Sequence, residues 1–134
     1  MPASFLRWNL LLTDIGFLLY WLASALSLLP PDWLYKDHDN PILMAWNWSL
    51  APIDLAASAS GLLALWHARS GRDIWSRWAL VSLSLTFCAG LMAVAFWSLQ
   101  SDFELAWCLP NLYLVAWPVW GVCSLLQKAR ESAA

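Results

Sequence analysis

The sequence predicts an all-α, polytopic membrane protein: a bundle of four transmembrane helices with both termini in the cytoplasm. Hydrophobic residues make up 61% of the 134-residue chain and charged residues only 12%, whereas soluble domains average about 25% charged residues. The mean hydropathy is +0.58. Four apolar runs are each long enough to supply the roughly 20 residues that a helix needs to cross a bilayer.

The four runs are bounded by charged or turn-forming residues and leave no room for a second domain, so residues 1–134 are expected to form a single transmembrane domain. We expect spans at about 9–29, 42–66, 78–99 and 105–126. The first run also fits a signal peptide, since Arg7 precedes it and Ala23-Ser24-Ala25 resembles a cleavage site. We favour a transmembrane span because the apolar run continues to Leu29.

The basic residues predict the orientation through the positive-inside rule. Six of the seven fall on one side of the predicted spans, namely Arg7, Arg69, Arg72, Arg77, Lys128 and Arg130. Lys36 alone falls on the other side, together with the acidic residues Asp32, Asp37, Asp39, Asp102 and Glu104. Both termini are therefore expected in the cytoplasm.

The composition argues against several classes of function. The formal net charge is −2 and the basic residues form no cluster, so nucleic acid is not an expected partner. A chain of this length offers no site for a dinucleotide-sized cofactor, and no cofactor is expected. Cys88, Cys108 and Cys123 lie inside spans without a CxxC motif or a neighbouring histidine, so no metal site is expected either.

The chain contains twelve tryptophans. Half lie near predicted span ends, as in the aromatic belts of membrane proteins: Trp8, Trp33, Trp66, Trp75, Trp78 and Trp97. The other half lie deeper: Trp21, Trp46, Trp48, Trp107, Trp117 and Trp120. The deeper group is the one that can line a site within the bundle.

Two carboxyl groups fall within the predicted spans, Asp14 and Asp54. An ionisable residue at this depth costs about 2.5–3.5 kcal/mol on insertion scales and therefore indicates a functional site. Asp54 lies twelve residues from each end of the second span, close to the bilayer midplane. Asp14 lies nearer the cytoplasm, where it could reach water or cap a neighbouring group, and it is treated as a secondary polar site.

The second span carries a stripe that we expect to face the bundle interior. Its members follow one another at steps of four, three, four and three: Asn47, Ala51, Asp54, Ser58 and Gly61. The small residues allow a neighbouring helix to approach closely, but packing does not explain the carboxylate and the carboxamide. Pro52 cannot donate a backbone hydrogen bond and so frees a carbonyl near Asn47.

Matching residues by depth predicts a pocket that opens towards the outer leaflet. In the fourth span Trp107, Asn111, Leu114 and Pro118 share one face, which brings Asn111 near the depth of Asn47. Around Asp54, the expected ligand-binding residues are Tyr20, Trp46 or Trp48, Asn47, Trp107, Asn111 and Trp117. An apolar wall with a few convergent polar groups is typical of a small-molecule site.

These residues predict a site for a lipophilic small molecule. Asp54 as a proton donor in apolar surroundings, with indole faces that attract cations, suits an isomerase or cyclase that protonates an isoprenoid or sterol-like lipid. The alternative is a noncatalytic accessory or scaffold protein in which Asp54 and Asn111 only join helices. A transporter is a third possibility. With one midplane carboxylate and so few residues it would have to be a homo-oligomer, and no inverted repeat is visible. The expected partners are the membrane and a lipid or other lipophilic small molecule.

Most of the chain resembles the YvaD-type small bacterial membrane proteins. The resemblance is carried by three segments: Thr13-Asp14-Ile15-Gly16, the ten residues from Asn40 to Ser49, and Leu109-Pro110-Asn111-Leu112. It implies a location in a bacterial inner (plasma) membrane, and it implies no activity.

A more distant resemblance links residues 35–54 to the emopamil-binding and sigma-2 receptor group of four-helix membrane proteins, the EXPERA superfamily. The matching features are Tyr35-Lys36-Asp37, Asn40-Pro41-Ile42-Leu43, Trp46 eight residues before Asp54, and Asn111 seven residues before Pro118. This chain departs from the group in having no histidine beside Asp54. The resemblance implies an embedded pocket that either isomerises a sterol double bond or binds lipophilic amines, with Asp54 as the pocket carboxylate.

Overall fold

The apolar runs form helices in the computed structural model, which describes residues 4–30, 37–101 and 103–131. In chain order the helices are α1 (Ser4–Ala25), α2 (Pro41–Ser49), α3 (Ala51–Arg69), α4 (Trp75–Leu99) and α5 (Leu105–Glu131), and these described ranges contain no strand. Only Leu50 separates α2 from α3, so the two form one segment. That segment, α1, α4 and α5 are each long and apolar enough to cross a membrane, which confirms the predicted class of four transmembrane helices.

The first helix begins and ends earlier than the predicted span of 9–29. It starts at Ser4 and ends at Ala25, where Ser27 adopts a left-handed backbone with φ of 52°. The backbone N–H of Ser27 donates to the carbonyl of Ser24, and that of Leu28 to the carbonyl of Ala23. This pair of bonds is the Schellman arrangement, which satisfies the last carbonyls of a helix and stops it.

The second predicted span, 42–66, is interrupted at Leu50. Asn40 caps α2, because its side-chain oxygen accepts the backbone N–H of Ile42 at 2.9 Å. The N–H of Leu50 donates to the carbonyl of Asn47 at 3.0 Å, an i to i−3 bond that closes α2 with a tight turn. Pro52 follows in the first turn of α3, where its missing N–H is tolerated.

The helices pack in the order α1, α3, α4 and α5. The buried residues of α3 and α4 are mostly small: Ala57, Ser58, Gly61, Ala64, Ala79, Ser82, Thr86 and Ala89. Small side chains let helices in a membrane approach closely enough for their backbones to make van der Waals contact. These residues therefore explain why α3 and α4 form the centre of the bundle.

Two clusters of buried side chains occupy opposite ends of the bundle. We call the end where α1 begins and α5 ends the terminal end, and the end where α1 and α4 end the distal end. Leu6, Leu10, Leu83 and Leu125 belong to the terminal cluster, whereas Phe17, Trp21, Leu50, Ala51 and Ala57 form the distal one.

The outer helices α1 and α5 meet over a short stretch at the terminal end. There the rings of Phe5 and Trp120 stand edge to face, with centroids 4.6 Å apart. The hydroxyl group of Tyr113 donates a hydrogen bond to Oδ1 of Asn9. Beyond this contact, the distal halves of α1 and α5 face a cavity.

Candidate functional site

A cavity of about 640 Å³ lies in the distal half of the bundle. It has walls from all four spans: Phe17, Tyr20 and Trp21 of α1; Asn47, Leu50 and Asp54 of the second span; Ala89 of α4; Glu104, Ala106, Trp107, Pro110, Asn111 and Leu114 at and within the start of α5. Its volume falls in the range of about 300–1,000 Å³ that is usual for small-molecule sites.

Asp54 provides a carboxyl group in this wall. It lies in the first turn of α3 and is 6% exposed. Its Oδ2 accepts a hydrogen bond of 2.9 Å from the indole Nε1 of Trp21. Its Oδ1 has no hydrogen-bond partner among the residues that the structure describes. One carboxyl oxygen is therefore fixed by α1, and the other retains its capacity for a hydrogen bond.

Tyr20 and Asn47 also connect α1 to the second span, nearer the distal end. The hydroxyl group of Tyr20 donates to Oδ1 of Asn47 at 3.3 Å. Asn47 is 4% exposed and lies two residues beyond the middle of α2, two turns before Asp54. The predicted stripe from Asn47 to Gly61 is buried throughout, which confirms that this face points inward.

Trp107 and Asn111 line the opposite wall on α5. The amide nitrogen of Asn111 donates to the backbone carbonyl of Trp107 at 2.8 Å, so this donor is used within its own helix. Pro110 and Pro118 lie inside α5 and cannot donate the usual bonds to the carbonyls of Ala106 and Leu114. Ala106 and Leu114 both line the cavity, so the proline-disturbed part of the backbone is the part that faces it.

Three predicted ligand-binding tryptophans lie away from this wall. Trp46 is stacked on Phe96 with ring centroids 3.9 Å apart. Trp48 is 43% exposed; it packs against Trp21 at 5.3 Å and borders a second cavity, of about 340 Å³, near the distal surface. Trp117 is buried in the terminal cluster. The structure thus gathers Tyr20, Asn47, Asp54, Trp107 and Asn111, but not these three.

One sequence-based interpretation had Asp14 reaching water, but the structure buries it. Asp14 also does not line the large cavity. Because α1 begins at Ser4 and not near residue 9, Asp14 is the eleventh residue of its helix, about 15 Å from its start. Its side chain is 0% exposed. It packs against α3, where a Cβ added to Gly61 would lie 2.6 Å from the Cγ of Asp14, and its Oδ1 lies 3.5 Å from Oγ of Ser82.

Sequence reasoning did not assign Trp21, Phe17 or Glu104 to the site. Trp21 and Phe17 follow Asp14 at steps of three and four, so the helical spacing that revealed the second-span stripe would also have placed them on the inward face. Glu104 precedes α5 and adds a second carboxyl group to the cavity wall. The described lining includes no Lys or Arg, so this wall carries only acidic charge.

The residues that the structure describes contain no group of three His, Cys, Asp or Glu side chains placed to hold a metal ion. Cys88, Cys108 and Cys123 are free thiols. Tyr35 and Lys36, which carry part of the distant resemblance, lie outside the described residues, as do Trp33, Asp32 and Asp102.

Comparison with known proteins identifies relatives without an assigned activity. Residues 6–132 match the model of a family of unknown function, DUF5360. The chain is 47% identical over 122 residues to the uncharacterized protein YvaD of Bacillus subtilis (strain 168), an alignment that covers 91% of this chain and 92% of YvaD. This confirms the YvaD-type resemblance. No solved structure matches the chain, and the resemblance to the EXPERA superfamily stays a prediction.

Proposed function

The chain belongs to DUF5360, a family of unknown function, and we propose that its distal cavity binds a lipophilic small molecule. The observation that carries this proposal is the cavity itself, in which one buried carboxyl group, Asp54, stands within a largely apolar and aromatic wall. The cavity lies among helices that are long and apolar enough to cross a membrane. We therefore expect a ligand that partitions into lipid. With a Bacillus relative, we place the protein in a bacterial plasma membrane.

The charge of the wall favours a ligand with a cationic group. Asp54 and Glu104 both line the cavity, and the indole faces of Trp21 and Trp107 attract cations with energies of about 0.5–2 kcal/mol. A lipophilic amine would place its ammonium group near the carboxylate and its hydrocarbon body against Phe17 and Leu114.

A catalytic role is the finer form of this proposal. A lipophilic amine resembles a carbocation in charge, so a site that binds it also suits the transition state of alkene protonation. In that role Asp54 would donate the proton to an isoprenoid or sterol-like lipid, and the indoles would stabilise the cation that forms. The distant EXPERA resemblance supports the same chemistry.

One observation favours the scaffold alternative. The bonds from Trp21 to Asp54 and from Tyr20 to Asn47 both join α1 to the second span. Bonds of this kind between membrane helices average about 0.6 kcal/mol and reach about 1–2 kcal/mol. In a scaffold protein these polar residues would serve only to join the helices, and the cavity would hold only bulk lipid.

Thermal unfolding in detergent distinguishes the two functions. A hydrophobic tertiary amine is expected to raise the unfolding temperature more than its neutral, isosteric analogue, and Asp54→Asn is expected to abolish this difference. The matched control is Asp73→Asn, which removes an exposed carboxyl group from the connection between α3 and α4 and is expected to preserve the preference for the amine. Equal stabilisation by both compounds, or an amine preference that survives Asp54→Asn, would contradict the proposal.

Mass spectrometry of the purified protein tests the natural ligand. A specific isoprenoid or polycyclic lipid that co-purifies with the native chain, and is lost in Asp54→Asn, supports the binding function. Bulk phospholipid alone, in both proteins, supports the scaffold. If an isoprenoid is found, unchanged turnover of it by Asp54→Asn would remove the proton-donor role while leaving the binding function intact.

A further inference from the structure

A second polar cluster lies at the crossing of α1, α3 and α4, outside the distal cavity. It consists of Asp14, Ser58, Ser82 and Thr86, whose side chains are all 5% exposed or less. The hydroxyl group of Ser58 donates to the backbone carbonyl of Asp14 at 3.0 Å. Oδ2 of Asp14 and Oγ1 of Thr86 are buried, and neither has a hydrogen-bond partner among the described residues.

Buried oxygens without a hydrogen-bond partner are uncommon in native proteins, and a bound ion or water molecule is one of the standard explanations for them. We propose that Asp14, Ser82 and Thr86, together with Ser58, form a binding site for a monovalent hard cation, and we use sodium as the probe. The site goes beyond the distal cavity and does not depend on the function assigned there.

The donor atoms determine the class of the ion. Every polar side-chain atom in the cluster is a carboxylate or hydroxyl oxygen, and oxygen ligands select hard cations over the softer transition metals. Asp14 is the one acidic residue among these four side chains, so the cluster carries no more than a single negative charge. One monovalent cation neutralises that charge at membrane depth, whereas a divalent ion would leave a net positive charge in a low dielectric.

The spacing of the oxygens also fits shared coordination. Oγ of Ser82 lies 3.5 Å from Oδ1 of Asp14, which is long for an O–H···O hydrogen bond, usually about 2.5–3.0 Å. Two oxygens at right angles around a hard cation, each at about 2.3–2.6 Å, stand about 3.3–3.7 Å apart. Thr86 lies one helical turn after Ser82 on the same face of α4, and its hydroxyl is buried on that face.

Gly61 is the residue that admits the carboxyl group to the crossing. A Cβ at this position would lie 2.6 Å from Cγ and 2.7 Å from Oδ1 of Asp14. The absence of a side chain on α3 therefore creates the space that Asp14 occupies.

Thermal unfolding of the purified chain in detergent, in sodium chloride or choline chloride at equal ionic strength, tests the site. We expect sodium to raise the unfolding temperature by roughly 3–8 °C for each tenfold increase above its dissociation constant. Asp14→Asn, which keeps the shape of the side chain, is expected to fold and to lose this response. Ser82→Ala and Thr86→Val are expected to shift the response to higher sodium concentrations. Asp54→Asn provides a second buried carboxyl change and is expected to keep the sodium response.

Identical unfolding temperatures in sodium and choline would overturn the proposal, as would a sodium response that persists in Asp14→Asn. A response lost in Asp54→Asn but kept in Asp14→Asn would assign sodium to the distal cavity and so contradict the site at the crossing. Stability that changes with pH but not with sodium would identify a proton, and not a metal cation, as the partner of Asp14.

Discussion

At the scale of single residues, the two buried carboxyl groups differ in what surrounds them. Asp54 has an aromatic donor on one oxygen and a large cavity beside it. Asp14 lies beside the hydroxyl groups of Ser58 and Ser82 and beside Gly61, in a tightly packed crossing. Both cost free energy to bury, but only the first has space for an organic molecule. For this reason we assign a lipophilic ligand to one and an ion to the other.

Trp21 has two roles, since it both lines the cavity and holds Asp54. We expect Trp21→Phe to lower the free energy of unfolding by about 1–3 kcal/mol, because it leaves Oδ2 of Asp54 buried without its donor. Chemical denaturation in mixed micelles measures this change. Trp8→Phe is the matched control, because Trp8 is 67% exposed, and it is expected to have little effect.

A double-mutant cycle shows whether the effect of Trp21→Phe arises from the hydrogen bond. If it does, combining Trp21→Phe with Asp54→Asn produces a loss clearly different from the sum of the two single losses. Strictly additive losses would mean that Trp21 contributes only its packing, and would weaken the case that it positions Asp54.

At the scale of elements, the inward faces of the helices followed from the sequence because helical periodicity fixes which residues share a face. The stripes from Asn47 to Gly61 and from Trp107 to Pro118 both contribute to the interior. Spacing within a helix does not reveal which neighbour that face meets. In the packed bundle Trp117 lies at a different depth from Asn47 and Asn111, and it belongs to the terminal cluster.

Trp46 lies outside the cavity because it does not belong to the inward stripe. It precedes Asn47 by one residue, which is about 100° around a helix of 3.6 residues per turn. Its ring packs on Phe96 of α4. Trp21 was overlooked because a tryptophan in an apolar helix can face either lipid or the core, and composition alone does not separate the two.

The crossing of α1 and α3 depends on one glycine. We expect Gly61→Ala to destabilise the protein by about 1–3 kcal/mol, because the added methyl group overlaps the carboxyl group of Asp14 and α1 must move. Gly16→Ala is the control on α1: nothing lies within 4 Å of its added Cβ, so this change is expected to be neutral or slightly stabilising. Denaturation midpoints of the two variants provide the comparison. Equal effects would show that α1 and α3 are not in close contact at Asp14.

At the scale of the whole molecule, the narrow contact between α1 and α5 leaves their distal halves separated by the cavity. The terminal end is closed by leucine packing and by the Tyr113–Asn9 bond. The acidic lining residues Asp54 and Glu104 lie in the open half. The bundle is therefore asymmetric along its axis, and the direction in which it crosses the membrane decides which leaflet the cavity faces.

The orientation can be predicted from charge, since six of the seven basic residues fall at the terminal end and the positive-inside rule assigns that end to the cytoplasm. A reporter that is active only in the cytoplasm should be active when fused after Ala134 and inactive when inserted next to Asp37. A reporter that is active only outside should give the reverse pattern. Replacing Arg69, Arg72 and Arg77 with glutamine is expected to weaken this preference and produce mixed signals. An external C-terminus together with an internal Asp37 would turn the cavity towards the cytoplasmic leaflet, and the ligand would then have to come from there.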